Sequence, residues 1–537
     1  MGCRIEQLKL LGSEGIFIND RIDVHGGTTS EVFCSRRTKI IRALRRTGCN
    51  MIINSWNREH FSRRKLKSIL VALAIHTNSI SVGMSQGFSA VLLPQLESNR
   101  SSIQVDSEEA SWIASLGVIS TPGGALFSGM LAETVGRKTT IQITALPFLI
   151  GWVMMGLSND KIWLYIGRFV TGFAIGMAST CYVYLAEISL PSERGMLAAL
   201  GPVFVSFGVL LVYLFGYMME WHLSTVVCAA TAAFSFFIIY FLPETPPWLA
   251  SKAKFSRASD TLLLLRGSKE AAEAEMRQIL HSVDCKKGLQ YKEYLGQSKK
   301  PTVWKPFLIL VFFFLFQEGS GMYNIVYYAT NIFRDIGPVL DSSVESIIVG
   351  VVRLVTSIVG TFCIQNFGRR PMAITSSSIM GLSMAIAAFY NYKYGKVELE
   401  DRPSPYVPFA CLVVNVIASM LGMLQLPWLM IGELFPLSVR GILSGIVSSL
   451  GYLFIFAIIK IYPNLMETLS LTGMMTLFSI ISLLTVPYVI FFLPETQGKT
   501  LMDIEHSFLP KPASKEEADI KRSPLETNVD PVYILKI

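Results

Sequence analysis

The chain has 537 residues, 51% of them hydrophobic and only 16% charged, a balance that cannot furnish the surface of an ordinary soluble protein and places it in a membrane. Its formal charge of +8 sits beside apolar runs, so the basic patches read as topology signals rather than nucleic-acid sites. Eight cysteines, at positions 3, 34, 49, 181, 228, 285, 363 and 411, show no CxxC spacing, which implies neither a disulfide frame nor a zinc site.

Residues 1–68 are polar and basic without an apolar stretch. They predict a cytoplasmic tail, no cleaved signal peptide, and a first span that acts as its own signal. Twelve runs of about 20 apolar residues, the length a spanning helix needs, follow near 70–93, 111–132, 139–158, 163–187, 196–219, 223–243, 304–333, 343–366, 371–392, 405–434, 441–463 and 470–493. Fourteen Lys and Arg crowd the first 68 residues and eleven the 244–303 loop, with more at the turns holding Arg137-Lys138, Arg194, Arg369-Arg370 and Arg440. By the positive-inside rule both termini and the central loop are cytoplasmic. On the opposite face, Asn99-Arg100-Ser101 between spans one and two forms an N-glycosylation acceptor pattern at Asn99.

The chain repeats itself. LAEISLPSERG (185–195) matches IGELFPLSVRG (431–441), VGRK (135–138) matches FGRR (367–370), and LPETPPW (242–248) matches LPETQGK (493–499), at offsets of 232 to 251 residues. The repeat predicts an all-α membrane protein with twelve transmembrane helices in two six-helix halves. Its parts are a basic tail over 1–68, an N-terminal half over 69–243, a cytoplasmic loop over 244–303 with short helices, one of them at 269–281, a C-terminal half over 304–493 and a cytoplasmic tail over 494–537.

The repeated motifs close one span and begin the next. Glu187 with Arg194 and Glu433 with Arg440 stand seven residues apart in each half, and Pro191 and Pro436 stop the helices between them. Gly129, Glu133, Arg137 and Lys138 combine a glycine for close helix approach with an acid and a basic cluster. Carboxylates at matched span ends predict a cytoplasmic ion-pair latch between the halves, drawn from Glu133, Arg137, Glu187, Arg194, Arg369, Glu433 and Arg440, that closes when the cavity faces out.

GRFVTGFAIG, YLAEISLPSERG, PWLMIGELFPLSVRG and LPETQGKTLMDIE resemble the sugar porter family of the major facilitator superfamily, with wording most like its insect facilitated trehalose transporters. The likeness covers residues 70–507. It implies the major facilitator fold, a plasma-membrane location and facilitated passage of a small sugar, trehalose or a hexose, by alternating access. FQEGSGMYNIVYY (316–328) stands where the family carries a QQ-x-SGIN-x-x-x-YY signature lining the sugar site. Gln317, Ser320, Gly321 and Tyr328 match that signature, Glu318 replaces its second glutamine and Tyr323 its asparagine, and Asn324 sits one position later. The resemblance further implies Trp428 as a flat face for a sugar ring, Tyr327 and Tyr328 as parts of an outer gate, and Arg168 as a residue near the outer cavity. Arg353 stands where an asparagine is usual, Gly451 likewise, Pro202 where many members carry glutamine, and Gln365 where the second half would carry an acid.

Gln317, Ser320, Gly321, Asn324 and Tyr328 recur at helical spacing and form one polar stripe that lipid cannot satisfy, so it faces protein or water. Gly319, Ser320 and Gly321 would let span seven bend or unwind. Glu318 lies thirteen residues past Lys305, about 20 Å along a helix, and Arg353 sixteen before Arg369, about 24 Å. Both therefore sit near mid-bilayer, where an unpaired charge costs roughly 2.5–3.5 kcal/mol on insertion scales, and the sequence predicts that they pair. Three readings stay open: a structural bridge, a grip on substrate hydroxyls, or a titrating Glu318 that couples transport to protons. His76 and Asn78 in span one are further intramembrane polar groups, His76 read as a satisfied bundle histidine.

No Walker A loop, HExxH or nucleophile elbow appears, so the chain does not read as an enzyme, and no metal or cofactor is implied. The rivals to a facilitator are a proton-coupled sugar or polyol symporter and a membrane sugar sensor without turnover.

Overall fold

The computed structural model describes residues 50–97, 103–286, 300–337, 340–397, 401–436, 439–499 and 501–509. The expected glycosylation position Asn99 and the side chains of Arg194, Gln365 and Arg440 lie outside the described residues. The chain divides into two compact units, 1–66 and 67–537. The second is the membrane bundle; of the first, the start of the helix Asn50–Leu96 is described.

Among the described residues, eleven helices are long and apolar enough to cross a membrane. The last, Leu443–Phe492, has 50 residues, about 75 Å at 1.5 Å per residue, more than twice the roughly 30 Å hydrocarbon thickness. Ser470 carries non-helical dihedrals inside it (φ 57°, ψ 172°), where spans eleven and twelve join. All regular structure among the described residues is helical, and the fold is an all-α bundle of twelve spans in two six-helix halves.

In the first half the spans are Lys67–Leu96, the membrane part of the helix Asn50–Leu96; Ser107–Ile119 with Thr121–Val135; Arg137–Gly156; Lys161–Met177 with Thr180–Ile188; Pro191–Met218; and Trp221–Tyr240. Helices Pro246–Ser251, Phe255–Arg266 and Lys269–Lys286 fill the loop between halves. The second half runs Pro301–Gly319 with Met322–Tyr327 and Ala329–Ile336; Ser342–Phe367; Arg369–Tyr394; Val407–Leu421 with Leu426–Leu434; and Arg440–Phe492 as the last two. We call the end of the bundle carrying the 244–303 loop the loop side. Arg266 fixes the loop there, with a bidentate bond to Glu275 (2.5 and 2.7 Å) and a donation to Ile188 O (3.0 Å).

Span five packs on span eight and span two on span eleven. Exchanging the halves, five for eleven and eight for two, turns the first contact into the second, as two repeated halves require. Large apolar side chains such as Phe237, Phe389 and Phe491 are 65%, 68% and 79% exposed, a surface suited to lipid rather than water. Spans two and four approach closely through Gly124 and Gly176, where an added Cβ would lie 1.9 Å from Phe173 O and 2.0 Å from Thr121 O. The close approach expected at Gly129 does not occur: nothing lies within 4 Å of a Cβ built there. Gly129 lies on the exposed side of span two, while its neighbours Ser128 and Ala132 are the ones buried.

Candidate functional site

Span seven breaks where its glycines predict. Its first helix ends at Gly319, Ser320 caps it, and Gly321 takes a left-handed φ of +79° before a short helix resumes at Met322. A non-glycine residue would be strained there and would also strike the Phe478 ring, 2.5 Å from a built Cβ. A second break falls at Tyr328.

These breaks replace the expected continuous stripe with residues of two kinds. Ser320 donates to Gln317 O (2.6 Å), while Tyr328 donates to Ile459 O (3.2 Å) and stacks on Tyr462 at 4.8 Å. Gln317 donates its amide N–H to Leu424 O (2.8 Å), leaving Oε1 buried and open. Asn324 Oδ1 and both carboxylate oxygens of Glu318 are likewise buried with no hydrogen-bond partner. Glu318, outside the stripe, is the most open polar group of the span.

The expected Glu318–Arg353 ion pair does not form: Glu318 is 0% and Arg353 4% exposed, and both Glu318 oxygens and Arg353 Nε and Nη1 lack partners. Residue counts along two straight helices fix depth but neither the azimuth of each charge nor the course of span seven, which unwinds two residues past Glu318. The two charges instead share surroundings. Arg353 lies within electrostatic reach of Tyr213, Tyr323 and Tyr327, and Glu318 within reach of Tyr323, Tyr327 and Tyr452. Tyr213 of span five donates to Val326 O (2.8 Å), and Tyr452 of span eleven lies 5.0 Å from Trp428, whose other neighbour is Phe314 at 4.8 Å. Gly451 leaves room for that Phe314 ring, 2.9 Å from a built Cβ.

Arg168 and His76 serve the bundle. Arg168, 1% exposed, donates to Ile113 O (3.0 Å), Ser85 O (2.9 Å) and Ser89 Oγ (2.5 Å), tying span four to spans one and two. His76 bonds Leu197 O (3.0 Å) and Ser79 Oγ (3.1 Å). Asn78 donates to Ile141 O and keeps Oδ1 open; Ser81 Oγ, Ser85 Oγ and Gln86 Oε1 of the same span are open too.

On the loop side the two halves are built alike. Arg137 bonds Glu187 (3.1 Å) and Glu133 (2.7 Å); Arg369 grips Glu433 with two nitrogens (2.8 and 3.3 Å), and Thr496 donates to the same carboxylate (2.5 Å). The halves differ because the position equivalent to Glu133 is Gln365, which leaves Arg369 a single acid. These ion pairs each lie within one half, so the expected latch between halves is not what they form in this state. The LPET glutamates take a role that the repeat alone did not reveal. Glu244 accepts the backbone N–H of Arg137 and Lys138 (3.0 Å each) at the start of span three, and Glu495 those of Arg369 and Arg370 (3.1 and 3.0 Å) at the start of span nine. An anion at a helix N-terminus satisfies orphan donors and opposes the helix dipole.

The charged contacts between the halves, among the described residues, lie on the opposite side, while nearer the loop Thr361 of span eight donates to Ala199 O of span five (3.4 Å). Glu97, ending span one, accepts from Arg334 (3.0 Å) and Asn331 (3.2 Å) in the last helix of span seven. Lys460 of span eleven donates to Ser111 Oγ (2.7 Å) and lies 4.3 Å from the Trp112 ring centroid in span two, and Thr330 donates to Ala90 O (2.9 Å). Sequence reading named none of Glu97, Lys460, Tyr213, Tyr452 or Gln86 for the site or its closure. The signal available was Lys460 inside an apolar run; the tyrosines carried none.

The sequence profile of the family described as "Sugar (and other) transporter" matches residues 71–508. Among curated proteins, the facilitated trehalose transporter Tret1 of Bombyx mori is 31% identical over 442 residues, 81% of this chain and 86% of that protein. Tret1 of Culex quinquefasciatus is 31% identical, covering 83% and 87%; for Tret1 of Drosophila grimshawi, also 31% identical, the chain spans 48% of that relative's length. Among solved structures, the partially occluded inward open conformation of the xylose transporter XylE from E. coli superposes with a TM-score of 0.68 at 20% identity, over 81% of this chain and 99% of that one. The proton:xylose symporter XylE bound to 6-bromo-6-deoxy-D-glucose gives 0.67 at 21% identity, over 82% and 99%, so these structures support the fold alone. With its profile match over most of the length and relatives at 31% identity, this multi-pass membrane chain belongs to the sugar (and other) transporter family.

Proposed function

We propose that the chain carries trehalose or a hexose across the plasma membrane as a facilitator, by alternating access, with both termini and the 244–303 loop cytoplasmic. The observation that carries this reading is the set of open polar atoms buried inside an apolar bundle. Asn78, Ser81, Ser85 and Gln86 of the first half, and Gln317, Glu318, Asn324 and Arg353 of the second, hold atoms without partners. A buried polar group left unpaired costs roughly 1–3 kcal/mol, and lipid offers no bonds, so the bundle gains from a small hydroxyl-rich solute. Names of the relatives point the same way.

In this reading the substrate contacts are Gln317, Glu318, Ser320, Tyr323, Asn324, Arg353 and Trp428, and the moving parts are the breaks at Gly319–Gly321 and Tyr327–Tyr328. Uptake of labelled glucose and trehalose into liposomes holding the purified protein tests it. Saturable uptake down a gradient, unchanged by external pH and proton ionophores, is expected; ligand binding without flux would make the chain a sensor, and collapse of uptake with ionophore would make it a symporter.

A further inference from the structure

Resting on that reading, we propose that Gln86 of span one is a substrate contact and a specificity-determining residue: its amide holds one sugar hydroxyl from the first half, across from span seven of the second. From position 81 to 90 every residue of span one is buried except Gln86, which is half-buried inside an apolar span. Its Oε1 is buried without a partner. Polar neighbours along the helix are committed within the first half. Thr77 donates to Ser235 Oγ (3.1 Å), Asn78 donates to Ile141 O (3.2 Å), and Ser89 Oγ accepts from Arg168 (2.5 Å). Gln86 is held by no such bond among the described residues.

The register of the helices shows where Gln86 looks. At about 100° per residue, Ala90 and Glu97 lie within about 40° of it on the helix face. Both meet span seven: Ala90 O accepts from Thr330 (2.9 Å) and Glu97 from Arg334 (3.0 Å). On one side of that face Gly83 and Gly87 press on span five, built Cβ atoms there lying 1.9 Å from Val205 O and 2.8 Å from Val212. On the other side Ser85 O and Ser89 receive Arg168. Spans one and seven both run away from the loop side, so one turn back from the Ala90–Thr330 bond Gln86 is level with Val326 and Tyr327. Tyr213 fixes this level, because its ring lies 3.2 Å from a Cβ built on Gly87 and its hydroxyl donates to Val326 O (2.8 Å). Gln86 therefore fronts the short helix Met322–Tyr327, between the two breaks of span seven, which carries the unpartnered Asn324 Oδ1.

An amide both donates and accepts, so Gln86 can meet a hydroxyl whichever way its O–H points, and it brings no charge into the bundle. A sugar held by Gln86 and by span seven touches both halves at once. That contact is made only while spans one and seven stand together, as they do in this state.

Gln86→Leu removes both hydrogen-bonding atoms at nearly constant volume. With the purified protein in liposomes, the half-saturation concentration for labelled glucose or trehalose should rise about threefold to tenfold, the worth of one neutral hydrogen bond. Monodeoxy analogues tested as inhibitors of uptake then identify the hydroxyl. Deletion at one position should cost the wild type about that factor and cost Gln86→Leu nothing, while the other positions keep their penalties. Without sugar, the variant should melt no lower than wild type, since the side chain holds nothing in the bundle.

An unchanged half-saturation concentration and deoxy profile would overturn the proposal with transport intact. A lowered melt with every analogue weakened alike would do so too, since that is the pattern of a structural amide. Where Gln86→Leu fails to insert, Gln86→Asn withdraws the same amide by one methylene and should lose the same single-position penalty; an unaltered profile there also overturns the proposal. Absence of both binding and flux of the parent sugars in wild type removes the transport reading, and the proposal with it.

Discussion

Arg168 and Glu318 show how far residue chemistry was readable. Both are charges inside apolar runs, and an intramembrane charge marks a partner or a function. Arg168 finds three acceptors on spans one and two; the Glu318 oxygens find no donor, a difference that no spacing rule carries because it depends on which helix faces which. Arg168→Leu should therefore lower the melting temperature of purified protein, at a cost of about 1.5–3 kcal/mol for bonds to a charged group, and ligand-induced stabilisation by the transported sugar should persist. A melt unchanged by the substitution would remove Arg168's structural role. Gly321, by contrast, was fully legible, since a glycine within a polar, helix-breaking step points to a backbone only glycine adopts. With φ at +79° and the Phe478 ring 2.5 Å from a built Cβ, Gly321→Ala should cost about 1–3 kcal/mol. Gly445→Ala, with nothing within 4 Å, should leave the melt near wild type.

Helices were the most readable level. Twelve apolar runs gave twelve spans, and the breaks in spans seven and ten fall at Ser320–Gly321 and Gly422. What stayed hidden is how ends join: the LPET repeat was visible as a repeat, but its task, capping a helix begun more than a hundred residues away, is a matter of folding in space. Burial pushes the Glu495 carboxyl up, yet backbone N–H donors from Gln497, Arg369, Arg370 and Thr496 together outweigh it and hold the group below its ordinary value. A carboxyl lowered by folding contributes stability above its unfolded value, near 4.3, and that contribution is lost as pH falls through the folded value. Glu495→Gln should thus melt below wild type at pH 7, and the two curves should converge as the pH drops below about 4. A constant gap across that range would assign the loss to packing instead.

At the scale of the molecule, a latch on the loop side was expected, and the charged ties between the halves that the described residues form in this state lie on the opposite side. Repeats told which residues are equivalent; they could not tell which state the halves adopt, because alternating access gives one sequence two arrangements. The ties are Glu97 with Arg334 and Asn331, and Lys460 with Ser111 and Trp112, each joining a span of one half to a span of the other. They exist only while that side is closed, so they favour this state over the one open there. Side-chain exposures of 31% and 52% at Glu97 and Arg334 put that pair at the surface value of about 0.2–1 kcal/mol, and Lys460 over Trp112 adds about 0.5–1 kcal/mol. The two lie apart and should add, so removing both shifts the balance between states by up to about thirtyfold at 2 kcal/mol. Arg334→Glu with Lys460→Met should therefore enlarge the population with long spin-label distances across the ends of spans one and seven that lie opposite the loop side. Adding Glu97→Arg should recover the part due to the first pair, since it restores opposite charges with their order reversed. Recovery separates an ion-pair contribution from a packing defect: distances that stay long after the charges are swapped would show that the pair does not hold the halves together.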